Sequence, residues 1–322
     1  MSTIFGIGNP LLDSVVHIQD DVLVNFGFKK GSMHLVNEAD FNKIQGFFPQ
    51  AIITRQAAGS CANTMMGLAR LGTRAIFCGN VGSDTDGTTY EESIRATGVF
   101  PLLGREGRTG GVISLVSPDT ERTMATHLGA ALLFQANEQH KKAISMADIV
   151  YLTGYVLDDP HLRKEAILLI EHAKKLGKKV AFDCADASLI QRNKDLIRLV
   201  ITSFADITFM NETEAQALTG RNPEEALNLL KKEGQIVIVK TGESGSLISD
   251  GTEIIRVPVV KVDAVDTTGA GDMYAAGFLH GLVKGYPLEK CGHLGSYVAA
   301  QIVKQVSAYP PDLSHAESII LG

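Results

Sequence analysis

The sequence predicts an α/β protein: a central, mostly parallel sheet flanked by helices, with a second, smaller β-sheet set apart from it. Three observations carry this. Strand-length apolar runs at Asp148–Leu152, Lys179–Asp183, Asp206–Met210 and Gln235–Lys240 alternate with segments of helical period, which is the pattern of a parallel sheet covered by helices. Between about Pro101 and Leu128 the pattern changes to short alternating segments with turns, which points to a separate sheet. Late in the chain, a helical stretch from Met273 to Lys284 is preceded by Asp266-Thr267-Thr268-Gly269-Ala270-Gly271-Asp272, placing two glycines and two carboxylates where a helix begins.

Composition bounds the answer. The 322 residues, 45% of them hydrophobic, can bury a large core, and no linker, repeat or low-complexity segment divides the chain, so residues 1–322 are expected to form a single domain. A formal charge of −6 and a pI near 5.9 argue against nucleic acid or an anionic membrane as partner. The four cysteines are far apart and form no CxxC pair, and no basic leader precedes Ile4, so a cytoplasmic protein is expected. The nine histidines show no HExxH spacing.

In chain order, Thr3–Gly8 reads as a buried strand ended by Asn9-Pro10, followed by the alternating Ser14–Ile18. Gly6-x-Gly8 lacks the third glycine of a dinucleotide loop, because Leu11 stands in its place. A short strand is expected around Gly31–Val36, then Asn37 as cap of a helix over Glu38–Phe47. Ala57–Thr64 leads into a helix from Met65 to Gly72, and Arg74–Gly82 is a strand running to Asp84, read as an N-cap. Gly110–Val116 and Glu121–Met124 form a hairpin about Ser117-Pro118-Asp119. The small sheet is expected to draw on residues 11–37 and 101–128. The last helices span Met273–Lys284 and Leu288–Lys304.

The chemistry is concentrated at the late helix start. Its first N–H groups have no intrahelical partner and carry partial positive charge, so Gly269, Ala270 and Gly271 can bring bare amides against an anion. Asp272, in the first turn, reaches the same place. Amides that hold phosphoryl oxygens beside a carboxylate that takes a hydroxyl proton describe phosphoryl transfer, with Asp272 as the base, kept ionised by the helix dipole. A Walker P-loop is absent, since Gly177-Lys178 is followed by another lysine.

The run Asp266-Thr-x-Gly-Ala-Gly-Asp272 resembles the C-terminal signature of the PfkB-type carbohydrate kinases, and the likeness extends over nearly the whole chain. It implies a ribokinase-like three-layer domain with a small β-sheet lid, and use of ATP and Mg²⁺. By the same resemblance, Asp13 with Asn9 binds sugar hydroxyls. Gly59, Ser60 and Asn63 match the family's Gly-Gly-Ser-x-x-Asn, with Ala58 replacing the first glycine. Asn211 lies near the nucleotide phosphates and Glu214 orders the water shell of Mg²⁺. Thr241, Gly242 and Gly245 form the ATP-contacting turn, and Arg122 faces the phosphates. Ser307 stands where many relatives carry a glycine of a monovalent-cation site, so that cation is left open.

Asn9-Pro10-Leu11-Leu12-Asp13 and Arg122-Thr123-Met124 look like the bacterial adenosine-kinase branch. The implied reaction is transfer of the ATP γ-phosphoryl group to a primary hydroxyl of a ribose-containing substrate, first adenosine. A free-sugar kinase and a non-catalytic sugar- or nucleoside-binding regulator are the alternatives. The implied partners are small molecules, and the assembly a monomer or homodimer.

Overall fold

The computed structural model describes residues 2–48, 54–230 and 234–321. Its strands in chain order are β1 (Thr3–Ile7), β2 (Leu11–His17), β3 (Met33–Leu35), β4 (Thr54–Ala58), β5 (Arg74–Val81), β6 (Phe100–Arg105) and β7 (Gly110–Val116). There follow β8 (Arg122–His127), β9 (Ile149–Thr153), β10 (Lys179–Asp183), β11 (Ile207–Asn211), β12 (Ile236–Lys240), β13 (Ser246–Ser249) and β14 (Ile254–Val257). They form a nine-stranded sheet in the order β14-β13-β12-β11-β10-β9-β1-β5-β6 and a five-stranded sheet in the order β3-β8-β7-β2-β4.

The large sheet is parallel from β12 to β6, and β13 and β14 add an antiparallel edge. Its central strands, β1, β5 and β9 to β12, are buried on both faces, and successive residues divide between two cores. Phe5, Val150, Phe182 and Val239 pack with the Pro160–Lys175 and Lys194–Ser203 helices, whereas Ile4, Tyr151, Phe209 and Ile238 pack with the Ser60–Arg70, Ala270–Val283 and Leu288–Ile302 helices. The result is three layers. Phe209 meets Phe278 edge-to-face with ring centroids 5.5 Å apart, fixing the site-bearing helix against the sheet.

The small sheet uses its two faces differently. On one, Val16, Ile113, Leu115 and Ala125 bury against the Asp20–Phe26 and Glu38–Phe47 helices. On the other, Leu11, Asp13, Val112, Ser114, Arg122, Met124 and Thr126 line a cleft. Its strands come from 11–17, 33–35, 54–58, 110–116 and 122–127, so they differ from the expected segments in two ways. Phe100–Arg105 pairs with β5 in the large sheet instead, and Thr54–Ala58 joins as an edge strand beside β2.

Other elements sit close to their expected places. The hairpin turn holds Thr120 at φ 68, Asn37 caps the Glu38–Phe47 helix by accepting from the Asp40 N–H, and Asp84 accepts from the Gly87 N–H. The third helix begins at Ser60 rather than Met65. Among the described residues no helix is long and apolar enough to cross a membrane.

Candidate active site

A cleft of about 770 Å³ lies between the small sheet and the carboxyl ends of the large sheet's strands, where open α/β sheets place their ligands. Strand ends bring Thr153, Asp183, Asn211 and Lys240 to its floor, and the turn before the Ala270–Val283 helix supplies Asp266 to Gly269, then Gly271 and Asp272.

That helix begins as its glycines allow. Gly269 is the N-cap, at φ 80, a left-handed conformation that a side chain would strain. The Ala270 N–H is spent on the Thr267 carbonyl at 3.1 Å, and Ala270 lies outside the cleft lining, whereas Gly269 and Gly271 belong to it. Two of the three expected amide-bearing residues therefore face the cleft.

Asp272 is half-buried and held at both oxygens: Ser60 Oγ donates to Oδ1 at 2.6 Å and Asn63 Nδ2 to Oδ2 at 2.8 Å. Ser60 and Asn63, which the resemblance assigns to the sugar, both line the cleft and touch this carboxylate. Burial pushes the Asp272 carboxyl up to about 6, against the lowering pull of these two hydrogen bonds and of Lys240. The helix start alone suggested the opposite direction; removal from water is the larger effect.

Asp13 is buried on β2, accepts from Ser114 Oγ at 2.7 Å, and has an Arg122 guanidinium nitrogen 3.4 Å from its other oxygen. Burial raises its carboxyl above the ordinary value, and Arg122 and Ser114 pull it back. Arg122 is buried between two acids rather than open on a strand, with Nε 3.1 Å from Asp266 Oδ2 but out of line for a hydrogen bond. Its Nε and Nη2 have no hydrogen-bond partner among the described residues, although such groups are nearly always paired. Asn9 and Gly59 also line the cleft, and a Cβ on Gly59 would overlap the Asn9 carbonyl oxygen.

Asn211 caps the Glu212–Thr219 helix in a reciprocal capping box: its side chain accepts from the Glu214 N–H, and Glu214 accepts from the Asn211 N–H at 2.9 Å and from its side-chain amide at 2.6 Å. Both residues line the cleft. Burial pushes the Glu214 carboxyl up to about 7, while Lys240 acts to lower it and Asp183 to raise it. In the turn after β12, Gly242 lines the cleft; Thr241, which donates its N–H to Gly245 across the turn at 2.8 Å, and Gly245 shape it from outside.

Four cleft residues escaped the sequence expectations as functional candidates: Ser114, Asp183, Lys240 and Asp266. Asp183 and Lys240 close β10 and β12, and the rule that ligands sit beyond carboxyl strand ends marks both. Ser114 shares the period-two face of Val112. Asp266 bonds the Thr268 N–H at 2.9 Å and so turns the chain into the helix.

Among the described residues, no group of three or more His, Cys, Asp or Glu side chains could hold a metal by itself. Glu214 and Asp183 line the same cleft as Gly269 and Gly271 and fit Mg²⁺, which keeps much of its water and takes one or two carboxylates together with substrate phosphates.

Three layers, a β lid and a cleft over a glycine-softened helix start are the architecture of the ribokinase-like sugar and nucleoside kinases. The chain belongs to the pfkB family of carbohydrate kinases, whose family model matches residues 48–315. Its structure resembles the crystal structure of a probable sugar kinase from Rhizobium etli CFN 42 with a TM-score of 0.91 at 31% identity, covering 99% of this chain and 98% of that one. The adenosine kinase from Sinorhizobium meliloti gives a TM-score of 0.90 at 31% identity over 99% of both chains. A nucleoside kinase of Methanothermobacter thermautotrophicus is 31% identical over 251 residues, 76% of this chain and 78% of the relative.

Proposed function

We propose that the protein moves the γ-phosphoryl group of ATP to the primary hydroxyl of a ribose-containing acceptor, with adenosine the first candidate, and that residues 1–322 work as one domain under the small sheet as lid. The observation that carries this is the position of Asp272, held at both oxygens beside the Gly271 amide and within the same cleft as Asp13. The acceptor oxygen attacks phosphorus, the bond from phosphorus to ADP breaks, and the hydroxyl proton passes to Asp272. Gly269 and Gly271 receive the phosphoryl oxygens on amides whose dipoles are already oriented.

Asp13 and Ser114 supply a buried acceptor pair for ribose hydroxyls, with Asn9, Gly59, Ser60 and Asn63 shaping that end of the cleft. The same lid face also carries Leu11, Met33, Val112 and Met124 beside Arg122 and Thr126, an apolar stretch that suits a flat base better than a small free sugar. The orphaned Arg122 nitrogens fit an incoming anion, and Asn211 and Gly242 in the cleft, with Thr241 and Gly245 shaping the turn behind it, are the candidates for nucleotide contact. Mg²⁺ carried on ATP would screen phosphate charge, with Glu214 on its water shell. The four cysteines, buried and unpaired, suit a reducing cytoplasm.

A coupled assay of ADP release across nucleosides and free sugars tests the reading. Turnover greatest with a purine nucleoside supports it. Turnover confined to free sugars moves the substrate class, and binding without ADP release makes the protein a non-catalytic binder.

A further inference from the structure

Lys240 ends β12, and its side chain, 15% exposed, lies in the floor of the cleft. Its Nζ donates to Asp183 Oδ2 at 3.1 Å. Burial works to lower its pKa, but the carboxylates of Asp183 and Glu214 outweigh burial and raise it, so the side chain is a fixed cation. Partial burial of an ammonium is costly unless its charge is used.

Its position is what gives that charge a use. A Cβ built on Gly271 would lie 3.0 Å from Nζ, so the ammonium sits against the helix start where the Gly271 side chain would be. A phosphoryl oxygen on the Gly271 N–H is therefore within reach of Nζ. Asp183, Glu214 and Asp272 also crowd this floor, and together they would repel a phosphoryl group. An ion pair serving the fold alone would need contact with Asp183 but no placement against Gly271.

We infer that Lys240 is a catalytic residue of the proposed transfer, its ammonium gripping the γ-phosphoryl oxygens in flight, with Asp183 as the positioning residue that aims it. The inference rests on the kinase reading. The phosphorus–oxygen bond to ADP breaks, the bond to the acceptor oxygen forms and the proton goes to Asp272. Lys240 keeps its protons throughout and offsets charge spread over the equatorial oxygens, as a point charge does for phosphate.

The test is steady-state ADP release by the full chain carrying Lys240→Gln, Lys240→Arg, or Lys240→Gln with Asp183→Asn, with melting temperatures measured alongside. Lys240→Gln is expected to lower kcat on the order of 10²- to 10³-fold with acceptor KM within about threefold. Lys240→Arg should recover part of the loss and the double variant none. A kcat within about threefold of wild type in Lys240→Gln, or one restored in the double variant, would show that Lys240 merely balances Asp183. Should Lys240→Gln fail to fold, the double variant is read against Asp183→Asn alone: a kcat well below that of Asp183→Asn supports the inference, and an equal kcat overturns it. A wild-type protein that releases no ADP with any acceptor overturns the kinase reading first and this inference with it.

Discussion

As the base of the proposed transfer, Asp272 must be ionised enough to accept a proton and basic enough to want one, and its surroundings set that compromise. Burial raises its carboxyl to about 6, while Ser60 and Asn63 stabilise the charged form. A base must be deprotonated, so kcat/KM is expected to rise with pH through about 6 and level off above it. Removing a hydrogen bond to the charged form raises its pKa, so Asn63→Ala should move that rise upward by about one pH unit. A profile that stays in place would show that Asn63 does not tune the base. The folded-state carboxyl binds its proton more tightly than the unfolded one, so this residue favours folding at low pH and loses that contribution as pH rises toward 6. Nothing in the letters gave Ser60 and Asn63 this role, because their contact with Asp272 spans 212 and 209 residues of chain.

The small sheet and the elements around it show what sequence pattern can and cannot carry. β9 to β12 lie within a residue of their expected limits because each is a continuous apolar run buried on both faces. β4, Thr-Arg-Gln-Ala-Ala, offers no such run, and its place in the sheet comes from antiparallel pairing with β2. β6, with Phe100, Gly104 and Arg105 exposed, is the edge of the large sheet and lacks the buried apolar run of the inner strands, which makes it look like a lid strand. β13, Ser-Leu-Ile-Ser, and β14, Ile-Ile-Arg-Val, are four residues each and flanked or interrupted by polar side chains, so neither reads as an apolar run. Within the lid, Asp13 links acceptor binding to the Arg122 pair. Asp13→Ala should therefore raise acceptor KM, at a cost of about 1–3 kcal/mol from unpaired hydroxyls, and lower the melting temperature, because truncating one member of a buried ion pair strands the other. ATP affinity should be nearly unchanged; an effect confined to ATP would remove Asp13 from the acceptor end.

At the scale of the molecule, one sheet presents its carboxyl edge and a second lies across it, and the proposed acceptor and nucleotide would meet in the cleft between the two sheets. If closure excludes water from the transfer, amides of β7 and β8 should exchange hydrogen more slowly when acceptor and Mg·ADP are both present than with either alone. Equal protection by one ligand would argue for a lid that does not respond to the pair. The overall architecture was legible because strand–helix alternation and the Asp266–Asp272 signature are local in sequence; the charge arrangement of the floor was not, since Asp183, Glu214, Lys240 and Asp272 come from four separate segments. The most direct measurement is the turnover of Asp272→Asn with Mg·ATP and the best acceptor of the panel. A fall in kcat on the order of 10²- to 10⁴-fold with ATP binding retained is the predicted result, and turnover equal to wild type would contradict the account at its centre.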